Sequence, residues 1–161
     1  LTVDQRLEQL GRERQPGDVE MVTEKMMEIG GMTSAEDYIA GTRTVHQVGR
    51  AFGTFHETYD LWVTPVTASP PLKIGMLDMN QESLETYVQN VTGFVTFTNL
   101  MNMSGAPSMS VPLHMSADGL PVGVMMSGPI GGEAELYALA AELERAQPWI
   151  HTRPKGFTDL G

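Results

Sequence analysis

The 161 residues carry ten Lys and Arg against twenty Asp and Glu, a formal net charge of −10, with 41% hydrophobic residues. That is enough apolar material to bury a core, and the wrong sign of charge for a phosphate backbone or an anionic membrane surface, which argues against disorder, nucleic-acid binding and electrostatic membrane attachment. There is no cysteine, so disulfides, thiolate nucleophiles and zinc-thiolate sites are ruled out for this chain.

The first third, residues 1–58, reads as helical. Leu7 and Leu10 form a helical pair within Asp4 to Arg14, Pro16-Gly17 punctuates, and a second helix is expected from Val19 to Ile29, ended by Gly30-Gly31. Thr33-x-x-Glu36 has the capping-box pattern, in which hydroxyl and carboxylate each satisfy an orphan backbone donor. Tyr38, Val45, Phe52 and Tyr59 recur every seven residues, with Val48 and Phe55 between them, so a long helix from Ser34 to about Thr58 carries one apolar face. Leu61-Trp62-Val63-Thr64-Pro65-Val66 is a short apolar β-prone run, expected as a buried strand whose length its proline limits, and Thr67 to Leu77, with Pro70-Pro71 and Gly75, is a surface or pocket-lining loop.

A further helix is expected from Glu82 to Met101, although Gly93 and many β-branched residues weaken its second half. It enters an unusual neutral block: 32 consecutive residues from Thr86 to Ala117 and 14 more from Gly119 to Gly132 contain no Asp, Glu, Lys or Arg, with only Asp118 between. The block is no membrane span, because Gln89, Asn90, Thr92, Thr96, Thr98, Asn99 and Asn102 interrupt the roughly 18 to 20 successive apolar residues that a bilayer requires. Within it, Met109, Val111, Leu113 and Met115 alternate with Ser108, Ser110, Pro112 and His114. Leu120, Val122, Val124 and Met126 repeat the alternation after Ser116-Ala117-Asp118-Gly119, whose Asp-Gly tolerates positive φ. These features predict an antiparallel hairpin near 108–127. Gly128 to Gly132 then turn into a helix opened by Glu133 and Glu135, striped with Leu136, Leu139, Ala140 and Leu143 and stopped by Pro148. Residues 149–161 lack periodicity. Strand, hairpin and last helix thus occupy 60–148, with no linker that divides the chain, and 1–161 is read as one portion of a larger domain.

Little of this chemistry stands out locally. His56-Glu57 begins like a metalloprotease helix, but Asp60 stands where the second His is needed. No G-x-S-x-G nucleophile elbow occurs, and Ser69 and Lys73 are four apart in a Pro-rich loop. The glycines at 128–132 match no phosphate-binding spacing and are followed by two glutamates. No metal or cofactor is implied. The methionines clustered in the neutral block suit adaptable core packing, with a peptide-binding surface as the alternative. The polar stretch Phe97 to Pro107 sets amides and hydroxyls in an uncharged, apolar setting, where they brace a neighbouring loop or line a pocket for a neutral substrate.

Four blocks then identify a family resemblance. They are Tyr59 to Pro65, Phe97-Thr98 through Asn102-Met103-Ser104-Gly105-Ala106-Pro107 to Pro112, Asp118 to Val124, and Glu133 to Glu144. Their order and spacing resemble the C-terminal part of amidase signature enzymes, over about residues 34–149. The helix leading into Tyr59 is most similar to the branch of 6-aminohexanoate cyclic dimer hydrolases and related bacterial amidases. The resemblance implies an α/β fold, here the C-terminal portion of a mixed sheet with flanking helices. It also implies hydrolysis of a carbon–nitrogen amide bond through an acyl-enzyme, using two serines and a lysine with oxyanion donors from a Gly/Ser-rich loop. No stretch here matches the Gly-Gly-Ser-Ser-Gly type signature or its lysine, so no catalytic residue is carried over. Glutamine-dependent amidotransferase A subunits tend to have an acidic residue shortly before the Phe-Thr step, where Val95 stands here. An apolar side chain cannot pair with an ammonium ion, which favours a less polar amide.

The expectation is therefore the C-terminal portion of a serine amidase, inactive alone, cytoplasmic, acting in its parent on a small-molecule amide. Val95, Thr98, Asn99 and Asn102, with Phe94 and Phe97, are the substrate-pocket or loop-bracing candidates. Leu1 in place of Met suggests a piece of a longer chain or a processed end. An open sheet edge would favour self-association. A noncatalytic peptide-binding module and an amidotransferase A subunit are the alternatives.

Overall fold

The structure is a computed structural model, and it describes residues 2–153. These residues form two compact units. In the first, which takes the chain up to Ala35 and Leu72–Thr92, α1 spans Val3–Gln9 and α2 spans Met21–Met32. Helix α1 is shorter than Asp4 to Arg14 because the chain turns at Gly11, with φ 63°. A capping box starts it: the Gln5 N–H donates to Thr2 Oγ1 and the Thr2 N–H to Gln5 Oε1. Helix α2 has no cap from its own Glu20. Its first amides instead donate outward, Met21 N–H to Asn80 Oδ1 (3.1 Å) and Val22 N–H to the Met79 carbonyl (3.0 Å).

Two expectations change here. Gly30-Gly31 does not end α2, which runs on through both glycines to Met32. Thr33 is the C-cap of α2, and its hydroxyl donates to the Ile29 carbonyl at 3.0 Å, back-bonding the last turn rather than simply opening the next helix.

The second unit comprises Glu36–Pro71 and the chain from Gly93 onward. Most of α3, Ala35–Phe55, belongs to it, and matches the expected long helix to within a few residues. Three strands follow: β1 Trp62–Pro65, β2 Ser108–Met115 and β3 Pro121–Ser127. They form one sheet in the order β1-β3-β2, antiparallel throughout. The hairpin is where the alternation put it. Its turn closes through Ser116 N–H to the Leu120 carbonyl (2.8 Å) and Gly119 N–H to the Ser116 carbonyl (2.9 Å), with Gly119 at φ 76°. The prolines obey the ladder: Pro65 and Pro112 lie on edge strands, Pro121 is the first residue of β3, and the register slips between Val111 and His114, around Pro112.

Both faces of the sheet are covered. On one, Val111, Met126 and Leu136 of helix α6 (Glu133–Ala146) are buried, with Met109, Leu113, Leu139, Leu143 and Trp149 around them. On the other, Phe52 of α3 packs with Met101, Ala106 and Met125, joined by Trp62, Val66, Phe97 and Leu100. Four methionines of the neutral block thus divide between two cores, Met101 and Met125 in one and Met109 and Met126 in the other, while Met103 and Met115 are exposed. Along the α3 stripe Phe52 is 5% exposed, whereas Tyr38 is 72% exposed. Trp149 packs and the Thr152 N–H donates to its carbonyl, so the tail is ordered as far as it is described. The rest of the expected tail, 154–161, lies outside the described residues.

Candidate functional site

The single helix expected from Glu82 to Met101 is two helices, α4 (Leu84–Phe94) and α5 (Asn99–Ser104), and the break at 95–98 holds three of the six candidate residues, Val95, Phe97 and Thr98. A local and a long-range cause combine. Val95, Thr96 and Thr98 are β-branched, which disfavours continued helix, and the Phe94 carbonyl accepts from Ala68 N–H at 2.9 Å, tying the end of α4 to the Pro-rich loop. The chain restarts at Thr98, whose carbonyl accepts from Asn102 N–H (3.2 Å). It leaves α5 through Gly105, which at φ 73° donates its N–H to the Met101 carbonyl (2.9 Å), the left-handed stop that glycine makes without steric cost. Ala106 then drops into the core and Ser108 opens β2.

The six candidates separate by environment. Phe97 packs against the Phe52, Met101 and Met125 core, and so braces the break from behind. Phe94 turns to a cavity of about 310 Å³, bounded also by Thr67–Pro71 and by Pro121–Gly123 at the start of β3. Val95 and Thr98 are half-buried, whereas Asn99 and Asn102 are exposed, three apart on the first turn of α5. The sequence reading thus grouped residues that the structure assigns to a core, a cavity wall and an open helix face.

The rest of the cavity was legible only as a Pro-rich loop following a strand. Its hydroxyls are turned inward on the loop itself, Thr67 Oγ1 donating to the Ser69 carbonyl (2.9 Å) and Ser69 Oγ to the Pro70 carbonyl (3.2 Å). Gly123 could not have been singled out from sequence. A Cβ there would stand 2.8 Å from both Ser110 Oγ and Val66 Cγ2, so β1, β3 and β2 close together only over a glycine. The Val66 N–H donates to the Gly123 carbonyl (3.2 Å), extending the β1–β3 ladder to the mouth of the loop.

Elsewhere, His56 sits at the end of α3 with its ring edge-on to Phe52 (centroids 4.6 Å apart). Its Nδ1 lies 2.9 Å from the Tyr59 carbonyl, which only accepts, so the proton is on Nδ1, and Nε2 is buried without a hydrogen-bond partner. Among the described residues no group of three His, Asp or Glu is placed to hold a metal ion, and no helix is long and apolar enough to cross a membrane. Asp18, in the first unit, has its carboxyl held down to about 2, first by the hydrogen bond from Arg12.

Comparison with known proteins agrees with this architecture. The family model for Amidase matches residues 3–137. The putative amidase AmiC of Mycobacterium leprae (strain TN) is 40% identical over 105 residues, which cover 65% of this chain and 22% of that protein. The structure of 6-aminohexanoate cyclic dimer hydrolase superposes with a TM-score of 0.82 at 28% identity, covering 95% of this chain and 33% of the hydrolase. A bacterial aryl acylamidase of the amidase signature family gives 0.71 at 26% identity, over 90% of this chain and 30% of its own. The chain therefore spans between 22% and 33% of the length of these relatives. With the α/β architecture, the hairpin and the family match in agreement, this chain belongs to the amidase family.

Proposed function

We propose that this chain is the C-terminal portion of a serine amidase that hydrolyses a carbon–nitrogen amide bond through an acyl-enzyme, with the Ser-Ser-Lys machinery supplied by residues outside it. The observation that carries this reading is the superposition of nearly the whole chain, 95% of it, on one third of a solved amide hydrolase at a TM-score of 0.82. The Gly-Gly-Ser-Ser-Gly type signature is not found among its 161 residues.

In this reading the chain binds and excludes water rather than breaking the bond. Phe97 and the hydrophobic core behind it hold the 95–98 break rigid, Val95 and Thr98 present a neutral surface, and Asn99 and Asn102 offer amide donors and acceptors beside it. An uncharged wall suits an amide with no charge near the scissile bond, because a buried ion without a partner costs several kcal/mol, about the size of a large part of a binding energy. The exposed apolar first half of α3, with Tyr38 and Ile39, is the surface on which the remainder of the enzyme packs.

The test compares the full-length protein containing this chain with the isolated 161-residue chain on aryl and aliphatic amides. Hydrolysis is expected from the former only. Comparable turnover by the isolated chain would contradict the proposal.

A further inference from the structure

We draw no further inference here: the strongest candidate, the mostly apolar groove of about 270 Å³ between strand β2 and helix α6 that Val111, Leu136, Ala140 and Trp149 line, carries nothing, because nothing in the structure shows what covers it.

Discussion

Replacing Gly123 by alanine tests whether the close approach of the strands is what closes the sheet over the Pro-rich loop. The new Cβ would lie 2.8 Å from Val66 Cγ2 and 2.8 Å from Ser110 Oγ, well inside van der Waals contact, so at least one side chain must move. Overpacking of this kind costs about 1–3 kcal/mol, and the gain from removing a glycine in a strand returns about 0.5–1 kcal/mol, which leaves a net loss centred on about 1 kcal/mol and at most about 2.5 kcal/mol. Because Gly123 is absent from the positive-φ residues, the loss comes from crowding and not from the backbone. Crowding can be relieved: in a Val66→Ala background one of the two contacts disappears, and the cost of Gly123→Ala should fall by about 1 kcal/mol. Urea unfolding followed by Trp62 fluorescence reads all four corners of the cycle, since Trp62 packs in the same core as Val66. A neutral Gly123→Ala, or strictly additive losses in the double variant, would refute the crowding argument.

Three further outcomes follow from the packing and electrostatics. Leu136→Ala empties the centre of the α6 core, where Leu136 is 4% exposed, and should cost about 2–4 kcal/mol in the same urea assay. Gly105→Ala forces a side chain into φ 73° and should cost about 1–2 kcal/mol, whereas Gly30→Ala, inside α2 with nothing near its added Cβ, should stabilise by about 0.5–1 kcal/mol. Asp18 has its carboxyl held down to about 2 by Arg12, so the native state binds this proton less readily than the unfolded chain. The contribution is present above the ordinary carboxylate range and lost as pH falls from about 4 through about 2. Carboxyl-carbon NMR of Asp18 should show a titration displaced downward, returning toward the ordinary range in Arg12→Gln; the same midpoint in both would contradict the pairing.

The hairpin was the most legible part of the sequence because two signals agreed, a period of two on either side of an Asp-Gly turn. The long α3 was legible from its seven-residue stripe, and the shortness of β1 from Pro65. The α4–α5 break was not, because the uncharged run offers a helix and a loop equally well. The deciding bond, Ala68 N–H to the Phe94 carbonyl, joins residues 26 positions apart in sequence. The same holds for α2, whose first amides are capped from Met79 and Asn80 and which then runs through two glycines. Among the candidate residues, composition did not show their division: Phe97 faces the core and Phe94 the cavity, three residues apart across a helix end where no periodicity survives. Gly123 carried no local signal at all, since its role exists only once Val66 and Ser110 are brought to it.

The central claim is that this chain shapes an amidase site whose nucleophile lies elsewhere. The most direct measurement is to label the full-length protein with a fluorophosphonate, which phosphonylates an activated serine, and to map the modified peptide by mass spectrometry. The account predicts one modified serine outside these 161 residues and loss of amide hydrolysis in step with labelling. A modified serine within the chain, such as Ser69, Ser104 or Ser127, accompanied by the same loss of activity, would contradict it.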